Sequence, residues 1–110
     1  MGYRIALCPL TTTYKRVIHS TPEKRVVADA IWLANTTGAS INLRLYVLRP
    51  GETIGNNNAV LFDVAVRNAT LFETLGASQL TLDLGESDEL WARASATGVV
   101  CQVWGSIGGR

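Results

Sequence analysis

Few residues of this 110-residue chain have reactive chemistry to offer, and they are scattered. His19 is the only histidine; Lys15 and Arg16 stand near it, and no cysteine or carboxylate lies at ligand spacing, so a surface or partly packed imidazole is expected. Ser106, in Trp104-Gly105-Ser106-Ile107-Gly108-Gly109, lacks the second glycine of a nucleophile elbow and the strand-to-helix context that elbow needs. No helical pattern follows the same glycines, so they form no phosphate cradle. The run Glu86, Ser87, Asp88, Glu89 comes nearest to a cation site, but it lacks the spaced Asp/Asn pattern of a calcium loop and is expected to be a solvated turn. Neither an enzyme nor a metal, nucleotide or covalent cofactor is expected.

Cys8 and Cys101 lie near opposite ends of the chain. A bridge between them requires the first and last strands to be neighbours; synthesis in a reducing cytoplasm favours two free, mostly buried thiols. The sequons Asn35-Thr36-Thr37 and Asn68-Ala69-Thr70 are expected to be polar turn or strand-end residues rather than glycosylation sites. Near the N-terminus, Pro9 and Thr11, Thr12 and Thr13 leave no room for a secretory core and cleavage site.

Apolar residues make up 47% of the chain and charged residues 17%, against about 25% charged in an ordinary soluble domain. In a domain this small, so low a charge fraction leaves apolar side chains at the surface, where they usually meet another protein. A formal net charge of +1 with no basic run gives no footprint for nucleic acid. No apolar run approaches the roughly 20 residues of a membrane helix.

Period-two and densely apolar runs separated by turn-forming clusters predict strands over 3–8, 14–20, 25–34, 41–48, 59–66, 69–75, 79–84, 90–96 and 99–105. No window shows sustained helical periodicity, and no linker divides the chain. The expected fold is a single all-β domain over residues 1–110, an antiparallel β-sandwich of about eight or nine strands, jelly-roll or immunoglobulin-like. The 25–34 strand is unusual because it is apolar on both faces apart from Asp29. Strict alternation places Val27, Ile31 and Leu33 on one face, and Val26, Ala28, Ala30, Trp32 and Ala34 on the other. The second face should then be covered by a loop, a neighbouring subunit or a partner. Tryptophan and tyrosine are enriched at interfaces, so Val26, Ala28, Ala30, Trp32, Tyr46, Trp91 and Trp104 are the candidate interface residues. Sandwich domains that bind sugars also present aromatics from strands, which leaves a carbohydrate- or ligand-binding module as an alternative.

From about Leu10 to Gly105 the pattern resembles a family of small β-sandwich structural proteins of tailed-bacteriophage virions. The likeness rests on Thr12-Thr13-Tyr14, the hydrophobic strand ending in Asn35-Thr36-Thr37-Gly38-Ala39, the strand ending near Pro50-Gly51, the segment Val60-Leu61-Phe62-Asp63, and the stretch from Leu82-Asp83-Leu84-Gly85 through Thr97-Gly98. Gly85 is followed by Glu86 where the family usually has aspartate. The resemblance implies a virion protein made in the cytoplasm of a bacterial host. It would be a capsid decoration or cement protein, or else a tail, connector or baseplate component. The implied partners are further copies of itself, a trimer being favoured, and the major capsid protein or other virion proteins, with no nucleic acid and no membrane.

Overall fold

In the computed structural model, which describes residues 3–67, 71–73 and 82–109, the apolar runs become β1 (Tyr3–Leu10), β2 (Lys15–His19), β3 (Lys24–Asn35), β4 (Ile41–Leu48), β5 (Ala59–Val66), β6 (Leu71–Glu73), β7 (Leu82–Leu84), β8 (Glu89–Ala94) and β9 (Val99–Gly109). The Asn-rich loop contains one 3-10 turn, Asn56–Asn58. Parts of the expected strands over 69–75 and 79–84, and the sequon at Asn68, lie outside the described residues.

Every pairing among the described residues is antiparallel, in two sheets ordered β1-β9-β3-β6 and β2-β8-β4-β5. β7 shares an edge of β3 with β6, pairing at Val26 to Ala28 where β6 pairs at Trp32 to Ala34. The pairs are therefore nested: β1 with β9, β2 with β8, β3 with β6 and β7, and β4 with β5. This is one long hairpin rolled over into two sheets, the connectivity of a jelly roll. An immunoglobulin-like sandwich instead groups its strands ABED and CFG.

Between the sheets, alternate residues of each strand form the core: Ile41, Leu43 and Leu45 of β4, Leu90, Ala92 and Ala94 of β8, and Val99, Cys101 and Val103 of β9. On β3 the inward row changes parity. Ala28 pairs with Gly105 and Ala30 with Trp104, so Asp29 is an extra residue, a β-bulge. Val26 and Ala28 before it, and Ile31 and Leu33 after it, all join the core. Strict alternation along β3 thus fails at Asp29, because a one-residue bulge exchanges the two faces beyond it. Val26 and Ala28 are core residues and do not share a face with Trp32.

β9 permits this through Gly105. A Cβ there would stand 1.9 Å from the Val27 carbonyl oxygen and 3.0 Å from the Ala28 Cα, both backbone atoms that no rotamer change can move. On its other side β9 meets a second bulge, at Ile5 between the pairs Arg4 with Trp104 and Ala6 with Val103.

The two cysteines face each other across β1 and β9, in register and both free. Burial raises the pKa of both thiols, that of Cys101 to about 12. The last turn before β8 is less solvated than expected: Asp88 is buried, and its carboxylate accepts the Gly85 N–H at 2.8 Å while its own N–H donates to the Gly85 carbonyl. Asn35 is also wholly buried. Its amide donates to the carbonyls of Ala39 and Val66, and its oxygen accepts from the Thr37 N–H and hydroxyl.

Gly105→Ala is expected to destabilise the protein by about 3 kcal/mol or more, since the clash is with backbone. Gly55→Ala, where nothing lies within 4 Å of the added Cβ, should change stability by less than about 0.5 kcal/mol. Urea melts of the two variants make the comparison. In native protein at pH 8, a maleimide should label Cys8 well before Cys101, whose raised pKa leaves about one part in ten thousand as thiolate; mass spectrometry of the digested adduct identifies the site.

Candidate functional site

The two outer faces of the sandwich differ in chemistry. On the β1-β9-β3 sheet the solvent-side row of β9 is Val100, Gln102 and Trp104, with Ala34, Trp32 and Ala30 opposite them on β3 and Pro9, Leu7 and Arg4 opposite on β1. Trp32 and Trp104 are half-buried, Leu7 is 49% exposed, and Ala30 is 6% exposed although it lies outside the core cluster. Arg4 supplies a charge at the Trp104 end of this patch; beyond that same end, Arg25 and Asp83 neutralise each other as an ion pair.

The other outer face is polar and aromatic. Tyr46 of β4 stands opposite Trp91 of β8, and Arg44 stands opposite Arg93. Tyr46 is buried there, and Tyr14 meets its ring edge-on at 5.6 Å between centroids. Trp91 donates its indole N–H to Glu89 at 2.8 Å, and Arg16 reaches the other oxygen of that carboxylate at 3.1 Å. His19, in register with Glu89, is 3.8 Å from it, a juxtaposition that sequence spacing does not show. Of the candidate interface residues, Trp32, Trp104 and Ala30 therefore fall on one sheet, Tyr46 and Trp91 on the other, and Val26 and Ala28 inside. They do not form one surface.

Two arginines opposed across a strand pair repel unless counter-charges intervene. Arg44 has one: its Nε donates to Asp63 at 2.7 Å and a terminal nitrogen donates to the second carboxylate oxygen at 3.2 Å, while the guanidinium lies 4.2 Å over the Phe62 ring. A bulge of β5, which sets Phe62 and Asp63 against the single residue Arg44, aims that carboxylate, with Asp63 in the left-handed region at φ 53°. Such backbone costs on the order of 1–2 kcal/mol for a residue with a Cβ, and the two-pronged ion pair holds it in place. Arg93 has no carboxylate in ion-pair range among the described residues; its guanidinium lies 5.4 Å from the Tyr14 ring. Asn42, Arg44, Asp63, Arg93 and Ser95 line a depression of about 180 Å3 between these strands. Sequence reasoning missed this group. The available signal was Asp63, an acid interrupting the apolar run from Val60 to Val66.

Among the described residues, no group of three or more His, Cys, Asp or Glu side chains is placed to hold a metal ion, and no helix is long and apolar enough to cross a membrane. Compared with protein-family models, with curated proteins and with solved structures, the chain matches none.

Hydrogen bonding from Arg44 lowers the Asp63 pKa, and the Trp91 N–H followed by Arg16 lowers that of Glu89. Each group binds a proton less readily folded than unfolded. The stabilisation is thus complete above the ordinary carboxylate values near pH 4 and is lost as pH falls through the lower folded values. Thermal melts from pH 6 to pH 2 should show a falling Tm below about pH 4, with a shallower fall in the Asp63→Asn, Glu89→Gln double variant.

Proposed function

We propose that this chain is a non-enzymatic structural subunit of a tailed-bacteriophage particle, a capsid decoration or cement protein that self-associates through the outer face of its β1-β9-β3 sheet. The observation that carries the reading is the pairing on that face of half-buried Trp32 and Trp104 with exposed Leu7, partly buried Ala34 and Val100, and buried Ala30, with Arg4 the charge at the Trp104 end. An apolar sheet face rimmed by charge is what a protein contact requires, and aromatic anchors supply most of the energy of such contacts. The jelly-roll connectivity agrees with the proposal by analogy of fold, since viral capsid domains use it. Closed symmetry would let the same patch meet itself or its neighbour around an axis, and the family resemblance favours three copies. A tail, connector or baseplate position would use the same face.

Light scattering and native mass spectrometry should find a closed oligomer at micromolar concentration. Trp32→Ala should leave the far-ultraviolet spectrum and the cooperative melt intact while weakening association by on the order of 2–4 kcal/mol per contact, roughly thirty- to several-hundred-fold. A monomeric parent protein, or a variant that associates as well as the parent, removes the proposal.

A further inference from the structure

We propose that the Arg93, Asn42 and Ser95 depression on the β2-β8-β4-β5 sheet is a binding site for a single carboxylate, the side chain of a glutamate or aspartate presented by a partner protein. The reading stands apart from self-association through the opposite sheet, because it concerns a different face and different residues.

The charge balance of the site comes first. Arg44 and Arg93 are directly opposed, and only one carboxylate, Asp63, is in ion-pair range of either among the described residues, bound two-pronged to Arg44. One positive charge is left over at Arg93. The neutral Tyr14 beside it cannot balance that charge: hydrogen bonding from Arg93, and last its charge, lowers the phenol's pKa from its ordinary value.

The donors come next. Ser95 Oγ accepts the Asn42 backbone N–H at 2.8 Å, which fixes the hydroxyl and leaves its hydrogen with no acceptor among the described residues. The Asn42 carboxamide is exposed and likewise makes no hydrogen bond to a described residue. A guanidinium fork, a hydroxyl and an amide N–H thus line one depression in which the one carboxylate is already engaged. Such a set calls for a ligand made of acceptors. The planar fork matches a carboxylate in two parallel bonds, and one surplus charge balances a monoanion rather than a phosphate dianion, which Asp63 would repel.

Size decides the source. About 180 Å3 is some six times the ~30 Å3 share of one water molecule and well below the roughly 300–1,000 Å3 of pockets that enclose small-molecule ligands. It suits one acid side chain entering from above, with Ala94 among the lining residues.

The test is a 15N NMR titration of the full chain with blocked glutamate (N-acetyl-glutamate N-methylamide), with sodium glucuronate, and with sodium chloride at matched ionic strength. Blocked glutamate should shift the Arg93 Nε–H and the Ser95 and Asn42 amides saturably, with a Kd on the order of a few millimolar, while chloride gives only a shallow linear drift. Arg93→Gln should weaken binding at least tenfold, and Arg93→Lys, which keeps the charge and loses the fork, by a smaller factor. A shift no different from that with chloride, or an Arg93→Gln protein that binds as well as the parent, overturns the proposal. Glucuronate binding tenfold or more tighter than blocked glutamate overturns the assignment to a protein side chain and points to an acidic sugar. Should Arg93→Gln fail to fold, the parent titration and Arg93→Lys still decide.

Discussion

The close approach of Gly105 to the backbone of β3 is the contact on which the rest of the sandwich depends. Among the described residues β9 alone is hydrogen-bonded to both β1 and β3, and its register slips by one residue against each of them beside Trp104. With a Cβ position 1.9 Å from the Val27 carbonyl oxygen, residue 105 tolerates nothing larger than hydrogen. The bulge that follows at Asp29 turns Val26 and Ala28 inward and Trp32 outward. Without it, period-two alternation would send Val26, Ala28 and Trp32 to the same side, and the tryptophan would have to be housed in a core lined by small and aliphatic residues. The outward-facing, half-buried aromatic patch is thus a consequence of a backbone constraint some residues away.

The two outer faces answer to different physics. Attachment through the Trp32 and Trp104 face would come from removing apolar area from water, which moderate salt scarcely affects. Binding at the Arg44, Asp63 and Arg93 face would act through partly exposed charges, whose interactions fade over a Debye length of about 8 Å at physiological ionic strength. A partner meeting the first face would be held by a contact that moderate salt scarcely changes, and one meeting the second by a contact that salt weakens. Both leave the core untouched, because the inward rows of all the long strands are spent on closing the sandwich.

Much of the fold was legible in the sequence, and for identifiable reasons. The strand limits of β4 and β5 agree residue for residue with the alternating pattern, since turn-forming residues bound both runs: Gly38 and Ser40 before β4, Pro50 and Gly51 after it, and the asparagines ahead of β5. β3 was correctly found as a strand apolar on both sides, but its facing was lost at Asp29, because a bulge depends on the partner strand and leaves no periodic trace of its own. The same limit hid the arginine site. Arg44 and Arg93 are 49 residues apart by their numbers, and only the nested pairing of a rolled hairpin sets them opposite each other. The short acidic turn looked solvated because four polar residues usually are; Asp88 is instead buried and closes the turn on Gly85.

Asn35 shows how a residue with an obvious sequence motif can be committed elsewhere. The sequon reading needs its Nδ2 free for modification, yet that nitrogen donates to two carbonyls, Ala39 across the turn into β4 and Val66 at the end of β5, inside a site with no solvent exposure. Its oxygen meanwhile orders Thr37 through both N–H and hydroxyl. Two donors and two acceptor positions, the full capacity of a carboxamide, are thereby satisfied. Leucine at this position would strand those carbonyls without partners, each at a cost of about 1–3 kcal/mol, and aspartate would cost more by setting a buried charge against two carbonyl oxygens. The chain crosses from one sheet to the other at this corner, where the ladder hydrogen bonds of β3 stop and those of β4 begin. A side chain able to bond in four directions replaces the ladder for those few residues, and that requirement selects asparagine on physical grounds unrelated to glycosylation.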